Sequence, residues 1–323
     1  MLSRYFGESV SQVLEVPAPA GGGARTGPLV VRRSTGKRRS FAGELATAVH
    51  EVWESRELLQ QLVLRDIRVR YAQAAMGFLW ALVIPLVVVM AGTLVRVAMA
   101  TASGRTLAPS VIGATAVKAV TWSFFSGALG TTTASLLNNK ALFTKLYFPR
   151  EVLPLSAVAA QMWDTGIGVV ALSLALPFMG LTLSPALLWV PVLVLLLVTF
   201  TTAVGLFTSC ANLFFRDVKY LVQVVLTFGI FVTPVFFEPA MLGPVGGRLM
   251  MALPLSPIIE GMRLAVIEGH NLLEPLVVTT RRGGVVLAWS PWYLLATVLW
   301  AFGGLAVAMR VFRRASVVFA EYA

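Results

Sequence analysis

Pro185 to Ala211 reads PALLWVPVLVLLLVTFTTAVGLFTSCA and contains no charged side chain. A helix made of this stretch has no polar face to turn toward water. About 20 such residues, rising 1.5 Å each, cross a hydrocarbon layer of about 30 Å. Working outward, further apolar runs with at most one charged side chain each occupy residues 77–97, 107–137, 153–179, 221–237 and 291–311; the second is longer than a crossing needs, so it is tilted or broken. The whole chain agrees: 57% of its 323 residues are hydrophobic and 13% charged, with a mean hydropathy of +0.81. That much apolar surface does not fit inside one water-soluble core. The expected fold class is an all-α integral membrane protein with six transmembrane helices, which leaves both termini on one side.

The front end is different. Residues 1–40 carry Gly21, Gly22 and Gly23, Pro17, Pro19 and Pro28, and the basic run Arg32, Arg33, Lys37, Arg38 and Arg39; this composition predicts a disordered basic tail. Residues 41–70 place Phe41, Leu45, Val49, Val52, Leu59, Leu62 and Val63 at helical spacing opposite Glu44, Glu51, Glu54 and Gln61. This is an amphipathic interface helix lying along the inner membrane surface, either as a peripheral anchor or also as a docking surface. Residues 71–323 form the transmembrane domain. With the N-terminus inside, 19 of the 26 Lys and Arg residues fall on the inner side, so the basic bias orients both termini to the cytoplasm. The net charge of +11 therefore reads as topology and attraction to anionic lipid. No soluble module remains to read nucleic acid. Cys210 is the single cysteine, which excludes an intramolecular disulfide and a cysteine metal cluster.

Between the second and third spans, Asn138 to Pro154 reads NNKALFTKLYFPREVLP. Leu142, Phe143, Leu146, Tyr147 and Phe148 supply apolar knobs, and Lys140, Lys145 and Arg150 supply charge. Pro149 and Pro154 stop the piece before the next span. It is either a handle that another protein grips or an ordinary basic inner loop. A second inner loop, NLFFRDVKY, pairs Arg216 with Asp217 and ends on Lys219 and Tyr220. The outer stretch from Glu238 to Ser290 holds two apolar pieces broken at Pro254 and Pro257, too short to cross and so re-entrant or interfacial. Lys118 and Asp164 fall inside predicted spans, where an unpaired charge is expensive; they are expected to pair as a membrane ion pair or to face water.

From Leu64 the sequence LRDIRVRYAQAAMGFLWALVIPL, with Arg65, Asp66, Arg68, Arg70 and Tyr71 followed by Gly77, Phe78, Leu79, Trp80 and Pro85, resembles the opening of ABC-2-type exporter permeases of the polysaccharide branch. TWSFFSGAL around Trp122 and Phe125, KLYFPREVLPLSAV from Lys145, NLFFRDVKYLVQ from Asn212 and PLSPIIEGMR from Pro254 are similar to the same family, in family order, over residues 64–263.

The resemblance implies a homodimer that does no chemistry and is driven by two copies of a separate cytoplasmic ABC ATPase. It implies that Asn138–Pro154 is the coupling helix, with Leu142, Lys145, Tyr147, Phe148, Arg150 and Glu151 at the ATPase. Arg65, Asp66, Arg70, Tyr71, Arg216, Asp217 and Tyr220 are then the cytoplasmic interface. The short outer helices would cap the exit. A glycan path calls for aromatic faces, for which Trp80, Trp122, Phe124, Phe125, Trp163, Phe228 and Phe231 are candidates, although aromatics in a bilayer also serve as packing and interface anchors.

The residues independently argue against a nucleotide site in this chain. A phosphate-cradling loop needs Gly-x4-Gly-Lys-Ser/Thr, whereas Gly36-Lys37 is followed by Arg38 and preceded by Val31 at the first glycine position. No cofactor is therefore expected on this chain, and ATP and Mg belong to the partner ATPase. The expected cargo is a lipid-linked glycan crossing a bacterial inner membrane. An ABC-2 exporter of drugs or small lipids is a second reading. An ion-coupled secondary transporter is a third, although it should show several membrane carboxylates or a repeat. An enzyme is disfavoured because His50 and His270 lie on opposite expected sides with no nucleophile or metal constellation.

Overall fold

The computed structural model describes residues 41–72, 79–102, 104, 106, 108–145, 148–179, 181, 183–279, 285–316 and 319. The expectation of a disordered tail over residues 1–40 lies outside them. Two helices come first, α1 (Phe41–Glu54) and α2 (Arg56–Tyr71), separated at Ser55. Leu62 of α2 is buried, and Leu58 and Leu59 pack beside it onto the same apolar cluster. This apolar side of α2 is covered by the chain's own bundle.

The bundle follows as α3 (Trp80–Ala102), α4 (Pro109–Asn138), the short α5 (Lys140–Lys145), α6 (Val152–Ala175), α7 (Trp189–Phe214) and α8 (Val218–Val232). Two short helices come next, α9 (Gly243–Met251) and α10 (Ser256–Arg263), and then a two-stranded hairpin of β1 (Leu276–Thr279) and β2 (Val285–Trp289). The chain closes with α11 (Pro291–Val298) and α12 (Gly304–Ser316), joined through a π turn at Leu299–Gly303.

Among the described residues, four helical stretches are long and apolar enough to cross a membrane: Trp80–Ala102, Val152–Phe178, Pro185–Phe214 and Pro291–Ser316. The other two expected spans are helices of another kind. Residues 107–137, expected to be tilted or broken, hold the single unbroken 30-residue helix α4. It is the central column, touching α3, α6, α7, α8 and α10. Because neighbours surround it, it is built from Gly, Ala, Ser and Thr, which let backbones approach closely. Three of its threonines are satisfied within the helix: Thr115, Thr121 and Thr133 donate to the carbonyls of Val111, Val117 and Leu129 at 2.7–2.9 Å. Glycine is required where a neighbouring helix comes nearest. A Cβ on Gly92 of α3 would stand 2.5 Å from Thr115, and one on Gly205 of α7 would stand 2.6 Å from Thr132. Residues 221–237, expected as the fifth span, correspond to the 15-residue α8, which ends at Val232.

The outer pieces break near Pro254 as expected. Pro257, however, lies in the first turn of α10, where a missing N–H costs nothing, so it starts the helix instead of splitting it. Every residue of α10 is buried, and a π turn at Leu264–Glu268 extends it to Gly269, whose φ of 61° closes the end. The hairpin is an element the sequence reading lacked. It pairs Val277 with Leu287 in antiparallel register, and the buried Trp289 donates its indole N–H to the Leu272 carbonyl at 2.9 Å.

Candidate functional site

The segment between α4 and α6 is fastened to its own chain. The Asn139 side chain donates to the Ser135 carbonyl at 2.9 Å and closes α4. Leu142 and Phe148, expected as knobs for a partner, are half-buried and pack against a cluster of Leu62, Leu136, Val152, Leu153, Leu206 and Phe312. The nearest apolar surface is that of the bundle itself, and burial there is favourable without a partner. Arg150 donates to the carbonyl of Ser316 at the end of α12, and its guanidinium lies over the Phe319 ring at 5.6 Å. Glu151 is buried and accepts from Arg313 Nε at 3.0 Å, while Arg313 Nη2 reaches Glu51 of α1 at 2.5 Å. One arginine thus joins α1, the start of α6 and α12. The Lys145 side chain and Tyr147 lie outside the described residues.

The second inner loop is open. Arg216 and Asp217 are both exposed and, contrary to expectation, no ion pair joins them among the described residues; a turn in water gives little reason to hold two charged side chains together. Tyr220 is also exposed, with Lys219 Nζ 4.7 Å from its ring centroid. The turn itself is set by Asn212, which accepts from the Lys219 amide at 3.2 Å and donates to the Thr133 carbonyl of α4 at 3.0 Å.

The expected pairing of Lys118 with Asp164 does not occur, because each has a nearer partner on a different element. Asp164, buried on α6, accepts from both Arg70 and Tyr71 at the end of α2. Arg70 also donates to Gln161 at 3.1 Å. Gly127 of α4 makes room for that glutamine, since a Cβ there would come within 2.8 Å of it. Burial pushes the Tyr71 phenol upward, with the Arg70 charge opposing it. One turn earlier, Arg65 pairs with Asp66 at 2.7 Å, and Asp66 accepts from Ser156 of α6 at 3.4 Å.

Lys118, fully buried on α4, stands 3.5 Å from Glu260 of α10. Glu260 in turn accepts from Arg263 at 2.6 and 3.0 Å, and Arg263 continues to Glu268. Nearby, Arg96 of α3 pairs with Glu238 at 2.8 Å. Burial alone would raise the Glu238 carboxyl, but Arg263, Lys118 and Arg96 together outweigh it and hold the group below the usual carboxylate range. Three cations and three carboxylates are thereby balanced, tying α3, α4, α10 and the loop after α8 to one another. The sequence reading found only Lys118. The available signal was the i, i+3 pair Glu260 and Arg263 in PLSPIIEGMR, which a helix places on one face.

The aromatic candidates separate into two groups. Trp122, Phe124 and Phe125 are buried core residues. Trp122 and Phe125 have ring centroids 5.8 Å apart, and Phe125 stacks on Phe200 at 6.0 Å. Trp80, Trp163, Phe228 and Phe231 are about half exposed or more. On α8, Leu221, Val224, Val225, Phe228 and Val232 present a continuous apolar face outward.

Comparison with known proteins gives this arrangement a family. Residues 57–267 match the ABC-2 type transporter family. The chain is similar to the O-antigen export system permease protein RfbA of Myxococcus xanthus, being 31% identical over 250 residues that cover 75% of this chain and 92% of the relative. It is similar also to the RfbA permease of Klebsiella pneumoniae, at 25% identity over 215 residues, 66% of this chain and 81% of the relative. The matched region runs from α2 through α10 and contains the Asp164 site and all of the charge network but Glu268. The chain belongs to the ABC-2 type transporter membrane family.

Proposed function

We propose that the chain is the permease subunit of an ATP-driven exporter that moves a lipid-linked polysaccharide across a bacterial inner membrane. The observation that carries this reading is the match of three-quarters of the chain to permeases named for O-antigen export. A polar glycan has no favourable route through hydrocarbon, so the protein must open a hydrated path, and a lipid tail can remain in the bilayer beside it. Two copies meeting along outward apolar surfaces such as that of α8 supply a seam that can open. Six crossings, with α4 and α8 as the second and fifth, leave both termini in the cytoplasm. The helices α9 and α10 dip in from the outer side, where burial within the protein satisfies their irregular backbone.

Force enters from two copies of a separate ATPase, which hold the nucleotide and Mg. The segment from Asn138 to Pro154 is the point of coupling. Its attachment to α12 and α1 through Arg150, Glu151 and Arg313 supports a lever that moves these helices together rather than a loop that bends alone. The exposed Arg216, Asp217 and Tyr220 add a second contact. Deleting the gene should leave the lipid-linked glycan trapped inside the cell and the surface stripped of it. Unchanged surface glycan, together with newly acquired drug sensitivity, would instead identify a drug exporter.

A further inference from the structure

A cavity of about 340 Å³ opens where α2 ends and α3 begins, walled by α3, α4 and α6. Its lining is mixed in chemistry. Arg70, Tyr71 and Gln161 supply polar groups, and Trp80, Ile84, Pro85 and Gly168 supply apolar surface. Arg70 and Tyr71 lie at the end of α2, and Trp80, Ile84 and Pro85 lie in the first turns of a helix able to cross the membrane.

Arg70 uses only Nη1 toward Asp164 and Gln161. Its Nε and Nη2 edge makes no bond among the described residues, and the side chain is 30% exposed. That edge is the planar fork that matches a phosphate with two parallel hydrogen bonds. Asp164 does not repel such a guest strongly, because Arg70 and Tyr71 already donate to it. Beside Gly168, an added Cβ would meet nothing within 4 Å. The volume suits a headgroup and the first carbons of a chain but not an entire lipid.

We propose that this cavity binds one membrane glycerophospholipid, its phosphate on the free edge of Arg70 and the start of a chain along Trp80, Ile84 and Pro85. The inference rests on membership of the membrane family and not on the identity of the cargo.

Native mass spectrometry of the full-length chain in mild detergent tests it, with phosphatidylglycerol, diacylglycerol of the same chains, inorganic phosphate and a short polyprenyl diphosphate as probes. One phosphatidylglycerol should be retained per chain, with neither diacylglycerol nor inorganic phosphate replacing it. Gly168→Leu, which fills the cavity, and Arg70→Lys, which loses the fork, should each weaken retention about tenfold, the scale of one charge-assisted hydrogen bond or a blocked site. Gly166→Leu, on the same helix but not lining the cavity, should leave retention unchanged. Should Gly168→Leu fail to fold, Ala81→Leu fills the same space from α3. Retention of phosphatidylglycerol undiminished by cavity filling, or equal retention of diacylglycerol, would overturn the proposal. So would displacement by inorganic phosphate alone, or preferential binding of the polyprenyl diphosphate.

Discussion

Glu260 and Glu51 each hold an arginine at nearly the same distance, 2.6 Å to Arg263 and 2.5 Å to Arg313, yet the two pairs do different work. The first has side chains 1% and 7% exposed, whereas the second has 43% and 24%. In the interior, water is not available to stabilise a charge that loses its partner, so removing one member leaves the full desolvation penalty. Where the side chains are partly exposed, water takes the partner's place, and the pair contributes little to stability. A short distance therefore does not measure strength. The buried network holds α10 against α4, while the Glu51–Arg313 pair joins α1 to α12 with little stability at stake.

The largest effect should come from Glu260→Gln. It leaves Lys118 fully buried without its carboxylate and should cost about 3–5 kcal/mol, read as loss of a folded, monodisperse species in detergent. Adding Lys118→Met should recover part of that loss, because Arg263 keeps Glu268.

Asp164→Asn comes next. Its amide keeps an acceptor for Tyr71 but loses the charge opposite Arg70, so a decrease of about 1–3 kcal/mol in unfolding free energy is expected, along with impaired assembly or export. Normal export by this variant would remove the α2–α6 pair from the account.

A pH series sharpens the comparison. The Glu238 carboxyl is held low in the folded state, so its contribution is present above the usual carboxylate value of about 4.3 and is lost as pH falls through the lower folded value. Melting temperature should decline on acidification below about pH 4.3, and Glu238→Gln should flatten that decline. The smallest effect belongs to Glu51→Gln, expected to change stability by less than about 1 kcal/mol. A large loss there would erase the distinction between the two regions.

The sequence made the membrane class and four of the apolar helices readable because each carries 18 successive residues of high hydropathy with no more than two charges. It read α4 less well. A helix surrounded by protein replaces leucine with threonine, glycine and alanine, so Thr131, Thr132 and Thr133 dilute the apolar signal that lipid contact would keep. The β1–β2 hairpin was passed over as outer loop, although Gly283 and Gly284 between two valine-rich runs carry the turn signal.

Site residues divided along the same physical line. Asp164 and Lys118 stood out as charges in apolar runs, but their partners come from α2 and α10, which sequence distance hides. Leu142, Phe148, Trp122 and Phe125, expected as contacts for a partner or a glycan, pack against apolar clusters of this chain.

The central claim is that a separate nucleotide-hydrolysing subunit supplies the force. Its most direct test is transport in liposomes containing the purified chain, with and without its cognate ATPase. The account predicts glycolipid translocation only when the ATPase and ATP are present, and none from an imposed proton or sodium gradient. Gradient-driven translocation by the chain alone would contradict it.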